Sequence, residues 1–238
     1  MQSNNCLNCN TNVSGNFCHE CGQKTDTHRI TVKHFITHDL IHGVWHIDKG
    51  IPYTLKQIFT RPGHASMDYI AGKRVKFYNV FYLSLLVLGL FLLVTLDDKE
   101  MLEEINEAPE VARKFAGVLY NYSKVFIFMF IPLSAFCGKV IFNRMEINFA
   151  EHLIIAGFII LGCFISILVA AIIGKVLPRV EGIMVLFCLP FYYLWVYRQV
   201  TGVSYSWLGF LWRMALYFIL LLFLYMMFLI PVVLFSIN

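Results

Sequence analysis

The chain has 238 residues, of which 58% are hydrophobic and only 14% charged, with a formal net charge of +4. A water-soluble domain of this size usually carries about 25% charged residues and at most about 50% apolar ones, so an ordinary soluble globule is excluded. In a chain this apolar, with mean hydropathy +0.67, a small basic excess reads as loop topology, and nucleic acid is not an expected partner.

Polar residues concentrate in the first 76 positions and in an acidic stretch near residue 100. The first 30 positions hold no apolar run, so no cleavable signal segment is expected and the N-terminus should stay in the cytoplasm. Cys6-Leu7-Asn8-Cys9 and Cys18-His19-Glu20-Cys21 form two Cys-x-x-Cys knuckles separated by eight residues. Four thiolates satisfy tetrahedral zinc, and a shell closed in this way is structural, with no position left to activate water. A segment this short cannot bury a core, so metal binding would supply its folding free energy. The intervening residues predict a β-hairpin, with Gly15 in the turn and Phe17 over the metal, while Gly22 lets the chain turn back so that amides face sulfur. A reducing cytoplasm would keep the thiols available. This ribbon is a candidate recognition element for a cytoplasmic protein. Cys137, Cys163 and Cys188 stand alone in apolar stretches and read as small packing residues.

His34, His38, His42 and His46 then recur every fourth residue, which places them on one face of a helix. With Asp39 or Asp48, and with His152 from a later segment, they make a candidate second metal site at the cytoplasmic membrane face. The same spacing suits an amphipathic interfacial helix with a histidine polar face, weakened by about 1 kcal/mol at Gly43. The sequence supports both. A helix is predicted over 52–59, stopped by Arg61-Pro62-Gly63, and another over 66–71, ended by Gly72. Arg61, Lys73 and Arg74 are candidate contacts for anionic lipid headgroups.

Five apolar segments follow, at 77–96, 124–141, 152–176, 183–200 and 214–235. Each predicts a transmembrane helix, because a helix bonds all its own amides across the bilayer. The short link at 175–182 makes the third and fourth an antiparallel hairpin. Lys73, Arg74 and Lys76 precede the first segment and place that side inside, whereas the 97–114 loop has seven acidic residues and suits the outside. Arg144, Arg198 and Arg213 then fall inside; Lys175 and Arg179 fall outside and are discordant. The expected fold is an all-α polytopic membrane protein of about five transmembrane helices. It would carry a zinc ribbon at 1–25, an amphipathic juxtamembrane segment at 26–76 and a helical membrane domain at 77–238.

The order of these motifs resembles a bacterial family, found mainly in Bacteroidetes, of small membrane proteins described only as a domain of unknown function. The resemblance rests on the double knuckle, His38-Asp39, His42-Gly43, His46 and Asp48-Lys49-Gly50. It continues in Phe59-Thr60-Arg61-Pro62-Gly63, Tyr69-Ile70-Ala71-Gly72-Lys73-Arg74 and Glu151-His152-Leu153. It implies a zinc ribbon on membrane helices and a bacterial inner-membrane address, and it implies no activity. The sequence accommodates three functions. One is a membrane adaptor, regulator or assembly factor docking a partner through the ribbon. The second is an enzyme that acts on a lipid-like substrate using the histidine stripe with Glu151 and His152. The third is a small transporter or channel, against which stand the lack of a mid-span carboxylate and of an inverted repeat.

Overall fold

A single apolar segment can bond all its own amides across a bilayer only as a helix, and helix is what these segments form. A computed structural model describes residues 5–25, 29–32, 50–95, 109–202 and 204–237. Two short helices, α1 (Gly50–Thr60) and α2 (Pro62–Ile70), precede five longer ones: α3 (Val80–Thr95), α4 (Glu110–Ile141), α5 (Phe149–Gly174), α6 (Pro178–Thr201) and α7 (Trp207–Ile237). The Arg61-Pro62-Gly63 stop holds, with α1 ending at Thr60, but the second helix starts at 62 and not at 66. Pro62 opens α2, since proline at the first helical position has its φ preset and lacks an amide that would go unpaired there anyway.

The expectation of five spans is also corrected. Among the described residues three helices are long and apolar enough to cross a membrane: Phe149–Gly174, Gly182–Thr201 and Trp207–Phe235. The apolar parts of α3 and α4, Val80–Phe91 and Met129–Ile141, are shorter. The 16 residues of α3 rise about 24 Å, less than a hydrocarbon core of about 30 Å. The first turns of α4 carry Glu110, Arg113 and Lys114, all before the span expected at 124–141.

Helix α5 is the central element, buried continuously from Ala150 to Cys163. Its mean character is apolar on all sides, as expected of a helix surrounded by others. Helices α3, α4 and α6 pack against it, and α7 packs on α4. Directions alternate along the chain. Gly138 near the end of α4 lies against His152 at the start of α5, Gly162 of α5 lies against Tyr192 of α6, and Ser134 of α4 bonds Tyr217 of α7. The starts of α3, α5 and α7 and the ends of α4 and α6 therefore share one end of the bundle, termed here the head end. Only Lys175–Leu177 separates α5 from α6, as the hairpin expectation requires. Leu222, Phe223, Leu234 and Phe235 of α7 face outward and supply the apolar surface that lipid would cover.

Helices α1 and α2 fold under the head end and are fastened there by polar contacts. Tyr192 donates to the Ile58 carbonyl at 3.1 Å, the Tyr78 amide donates to Thr54 Oγ1 at 2.8 Å, and the Gly63 amide donates to Gln199 Oε1 at 2.9 Å. At Gly63 the two backbones nearly touch: a Cβ there would run into the Val196 carbonyl and come within 3.1 Å of the Val200 nitrogen. A Gly63→Ala variant should therefore be less stable by about 1–3 kcal/mol, seen as a lower thermal midpoint in detergent, with the exposed neighbour His64→Ala unchanged. Equal midpoints for the two variants would show that α2 does not dock in this way.

Candidate metal centre

The two knuckles repeat one geometry. The Cys6 amide donates to the Thr11 carbonyl and the Asn10 amide to the Cys6 carbonyl, both at 2.8 Å. Twelve positions on, the Cys18 amide donates to the Gln23 carbonyl at 2.8 Å and the Gly22 amide to the Cys18 carbonyl at 2.9 Å. Each loop turns through a left-handed residue, Asn10 at φ 63° and Gly22 at φ 74°, a conformation that glycine and asparagine adopt at least cost. Each closes with a single antiparallel bridge, Asn5 with Asn12 and Phe17 with Lys24. The expected β-hairpin is not found, and no strand occurs among the described residues. The amides close bonds within each knuckle, so two tandem turns take the place of a ladder between them.

These turns gather the four sulfurs of Cys6, Cys9, Cys18 and Cys21 to within 4.8 Å of one another. Cys6 and Cys21 are 3.6 Å apart, and Cys9 and Cys18 are 3.4 Å apart. A tetrahedral thiolate site with metal–sulfur bonds near 2.3 Å has sulfur–sulfur edges of about 3.8 Å, so the cluster could hold a metal ion with little adjustment. The hydroxyl and amide of Thr11 draw the Cys9 thiol down to about 6. The amides of Cys21 and Glu20 favour the Cys18 thiolate too, yet burial and its sulfur neighbours push that thiol up to about 11. Four thiols this close cannot all ionise beside one another without a cation.

One face of the head is tied to the helices. The buried Gln23 side chain donates to the Gly72 carbonyl at 2.6 Å and accepts from the amides of Arg74 and Val75 at 3.1 and 3.4 Å. Arg29 grips Glu151 with Nε and Nη2 at 2.7 and 2.9 Å and donates to the Glu146 carbonyl at 2.8 Å. Beside it the buried Ile30 enters the core, and its carbonyl accepts from Asn148 Nδ2 at 3.0 Å. Leu7 and Phe17 remain exposed, Phe17 at 64%, so Phe17 does not cover the cysteines as the sequence suggested. Nothing in local sequence marks Gln23 or Arg29 as docking residues.

The remaining candidates separate. His34, His38, Asp39, His42 and His46 lie outside the described residues, and among those described the cysteine group alone forms a metal-type cluster. Glu151 and His152, adjacent in sequence, face different surroundings. The Glu151 carboxylate accepts from the Asn148 amide at 2.8 Å and from Arg29, which closes a capping box at the start of α5. His152 is buried, and neither ring nitrogen has a hydrogen-bond partner. Its Nδ1 and the Tyr197 hydroxyl both press on Gly138, where a Cβ would stand 2.7 and 2.5 Å from them. Arg61 and Lys73 both pair with Asp68 at 2.8 Å, while Arg74 lies over the Tyr69 ring at 5.6 Å. Partial burial raises the Asp68 carboxyl, but Lys73 and then Arg61 outweigh it and hold the group below the usual carboxylate range. An apolar cavity of about 310 Å³ opens between the later helices, lined by Phe130, Cys163, Phe164, Tyr193 and Phe218 among others. Its apolar walls do not make the polar pathway a transporter would need.

Residues 48–92 match the model of a family described as a protein of unknown function (DUF3667). That stretch spans α1, α2 and most of α3 and includes Arg61-Pro62-Gly63 and Lys73-Arg74; the cysteines lie outside it. No curated protein and no solved structure matches the chain.

Two outcomes follow from these contacts. A buried ring left without partners costs about 1–3 kcal/mol, so His152→Leu should fold and have a thermal midpoint no lower than the wild type; a large fall would mean that His152 makes a stabilising bond. Asp68 has a lowered folded pKa, so its contribution is complete above the unfolded value of about 3.9 and disappears as pH falls through the folded value. Detergent-phase melting should show the wild type losing its advantage over Asp68→Asn only in that acid window, and a constant difference down to pH 2 would contradict the pairing.

Proposed function

We propose that this chain is a multi-pass adaptor or assembly factor of a bacterial inner membrane, holding a structural zinc ribbon at the cytoplasmic face to dock a protein partner. The observation that carries this reading is the arrangement of the head. Its four sulfurs leave no ligand position open, Gln23 and Arg29 fasten one side to the helices, and Leu7 and Phe17 project on the exposed side. A closed thiolate shell supports folding of the head and leaves no position for substrate. Exposed apolar side chains on a rigid, metal-braced turn suit protein recognition. Cytoplasmic orientation of the head is supported by Lys73, Arg74, Arg144, Arg198 and Arg213, all at the head end, and a four-thiolate site there needs a reducing compartment.

A membrane enzyme with a lipid-like substrate is the second reading, favoured by one observation: the unpartnered nitrogens of His152 inside the bundle. Engagement of Glu151 by Arg29 removes the acid–base partner that reading drew on.

Photo-crosslinking in cells separates the two. A photoreactive residue at Phe17 or Leu7 should yield a discrete protein adduct that Cys18→Ser abolishes, while the same residue at the outward Leu222 of α7 yields only lipid adducts. Lipid adducts alone at all three positions, or a protein adduct that survives Cys18→Ser, would contradict docking through the ribbon.

A further inference from the structure

Three head-end cations have an internal counter-charge: Arg29 has Glu151, and Arg61 and Lys73 share Asp68. Three other arginines, in the later helices and their links, are not among them. Arg144 lies in the 3-10 turn Asn143–Met145 between α4 and α5, Arg198 in the last turn of α6, and Arg213 in the second turn of α7. All three converge on Tyr205, in the link between α6 and α7. The Arg213 guanidinium lies 4.5 Å from the Tyr205 ring centre and that of Arg144 lies 5.9 Å from it, while Arg198 Nη1 donates to the Tyr205 carbonyl at 3.3 Å. Arg198 and Arg213 also donate to the Gly202 and Gly209 carbonyls, and no carboxylate pairs with any of the three among the described residues.

Guanidiniums gathered on one residue repel each other, and aromatic faces offset only part of that repulsion. Two further features point to what completes the charge balance. Tyr205 is only 4% exposed and its hydroxyl has no hydrogen-bond partner. Beside the arginines, Trp207, Leu208 and Trp212 are exposed, Leu208 at 81%, with Arg198 stacked over Trp207 at 4.3 Å and Arg213 over Trp212 at 4.6 Å. Cations bordered by outward tryptophan and leucine present an anion site contiguous with an apolar surface, the two chemistries of a phospholipid at the membrane interface. Planar guanidinium groups bind phosphate oxygens with directed hydrogen bonds, which favours a phosphate ligand over a diffuse cloud of counterions.

We propose that Arg144, Arg198 and Arg213, grouped around Tyr205, form a phosphate-binding site occupied by the headgroup of an anionic phospholipid. The site is separate from Arg61, Lys73 and Arg74, the residues the sequence offered for this role, and it does not depend on the ribbon's partner.

The test uses the purified full chain in detergent. Phosphatidylglycerol, phosphatidylcholine and inorganic phosphate are each titrated while bound lipid is read by native mass spectrometry and the thermal midpoint is followed. The wild type should retain phosphatidylglycerol in preference to phosphatidylcholine. Arg144→Gln, in an exposed turn, should weaken that retention on the order of tenfold, and Arg198→Gln with Arg213→Gln should abolish it. Arg61→Gln, whose charge already has a partner, should retain lipid like the wild type. If inorganic phosphate displaces the lipid and loses its own effect in the same variants, the phosphate site stands and a soluble phosphate compound is its source. Equal retention of both lipids, or undiminished retention in the arginine variants with no effect of phosphate, would overturn the proposal.

Discussion

The Glu151 carboxylate is the contact on which the placement of the head most depends. It sits at the first turn of the most buried helix, where the unpaired amides and the helix dipole favour a negative charge. One of its oxygens closes the capping box with the Asn148 amide, and both oxygens are gripped by Arg29. A single side chain thus sets where α5 begins and where the chain leading out of the cysteine head must lie. Its own side chain is 4% exposed, but that of Arg29 is 63% exposed, so solvent screens the pair. Its consequence is therefore chiefly positional, and the accompanying burial of Ile30 provides the apolar adhesion.

Around that anchor the head end becomes a composite surface. Gln23 bonds three backbone groups in the link between α2 and α3, the Gly72 carbonyl and the Arg74 and Val75 amides, and so ties the head to that link. Helices α1 and α2 fill the space under α5 and α6, with Tyr192 reaching from the bundle to the backbone of α1. The cysteine turns, the short helices and the arginine-rich rim are thereby held at one level, next to the plane where lipid headgroups would lie. A rigid head and a lipid-anchored rim are complementary devices. Together they would present Leu7 and Phe17 at a fixed height above the membrane.

Much of this was legible in the sequence because it depends on local spacing. Two Cys-x-x-Cys pairs bring four sulfurs together whatever surrounds them, and Gly22 marks its left-handed turn directly. The apolar segments announced their helices, and the short link at 175–182 announced a hairpin. Pro62 both stops α1 and opens α2, and only the second role, with Gly63 docked on α6, went unread. Within the span expected at 124–141, the apolar helix among the described residues runs over Met129–Ile141, short of a full crossing. The long-range partners were beyond reach: Arg29 and Glu151 are 122 positions apart, and Gln23 and Gly72 are 49 apart. No periodicity encodes such pairs. Arg144, Arg198 and Arg213 were visible as a topological signal, but their convergence on Tyr205 needed the fold.

A four-thiolate metal site in the head would reveal itself in the metal's own absorption edge. Zinc-edge X-ray absorption on the purified full chain should show one zinc per chain with four sulfur neighbours at about 2.3 Å and no nitrogen or oxygen ligand. A chain free of zinc with its N-terminal cysteines joined as disulfides, or a shell containing nitrogen or oxygen, would rule that site out.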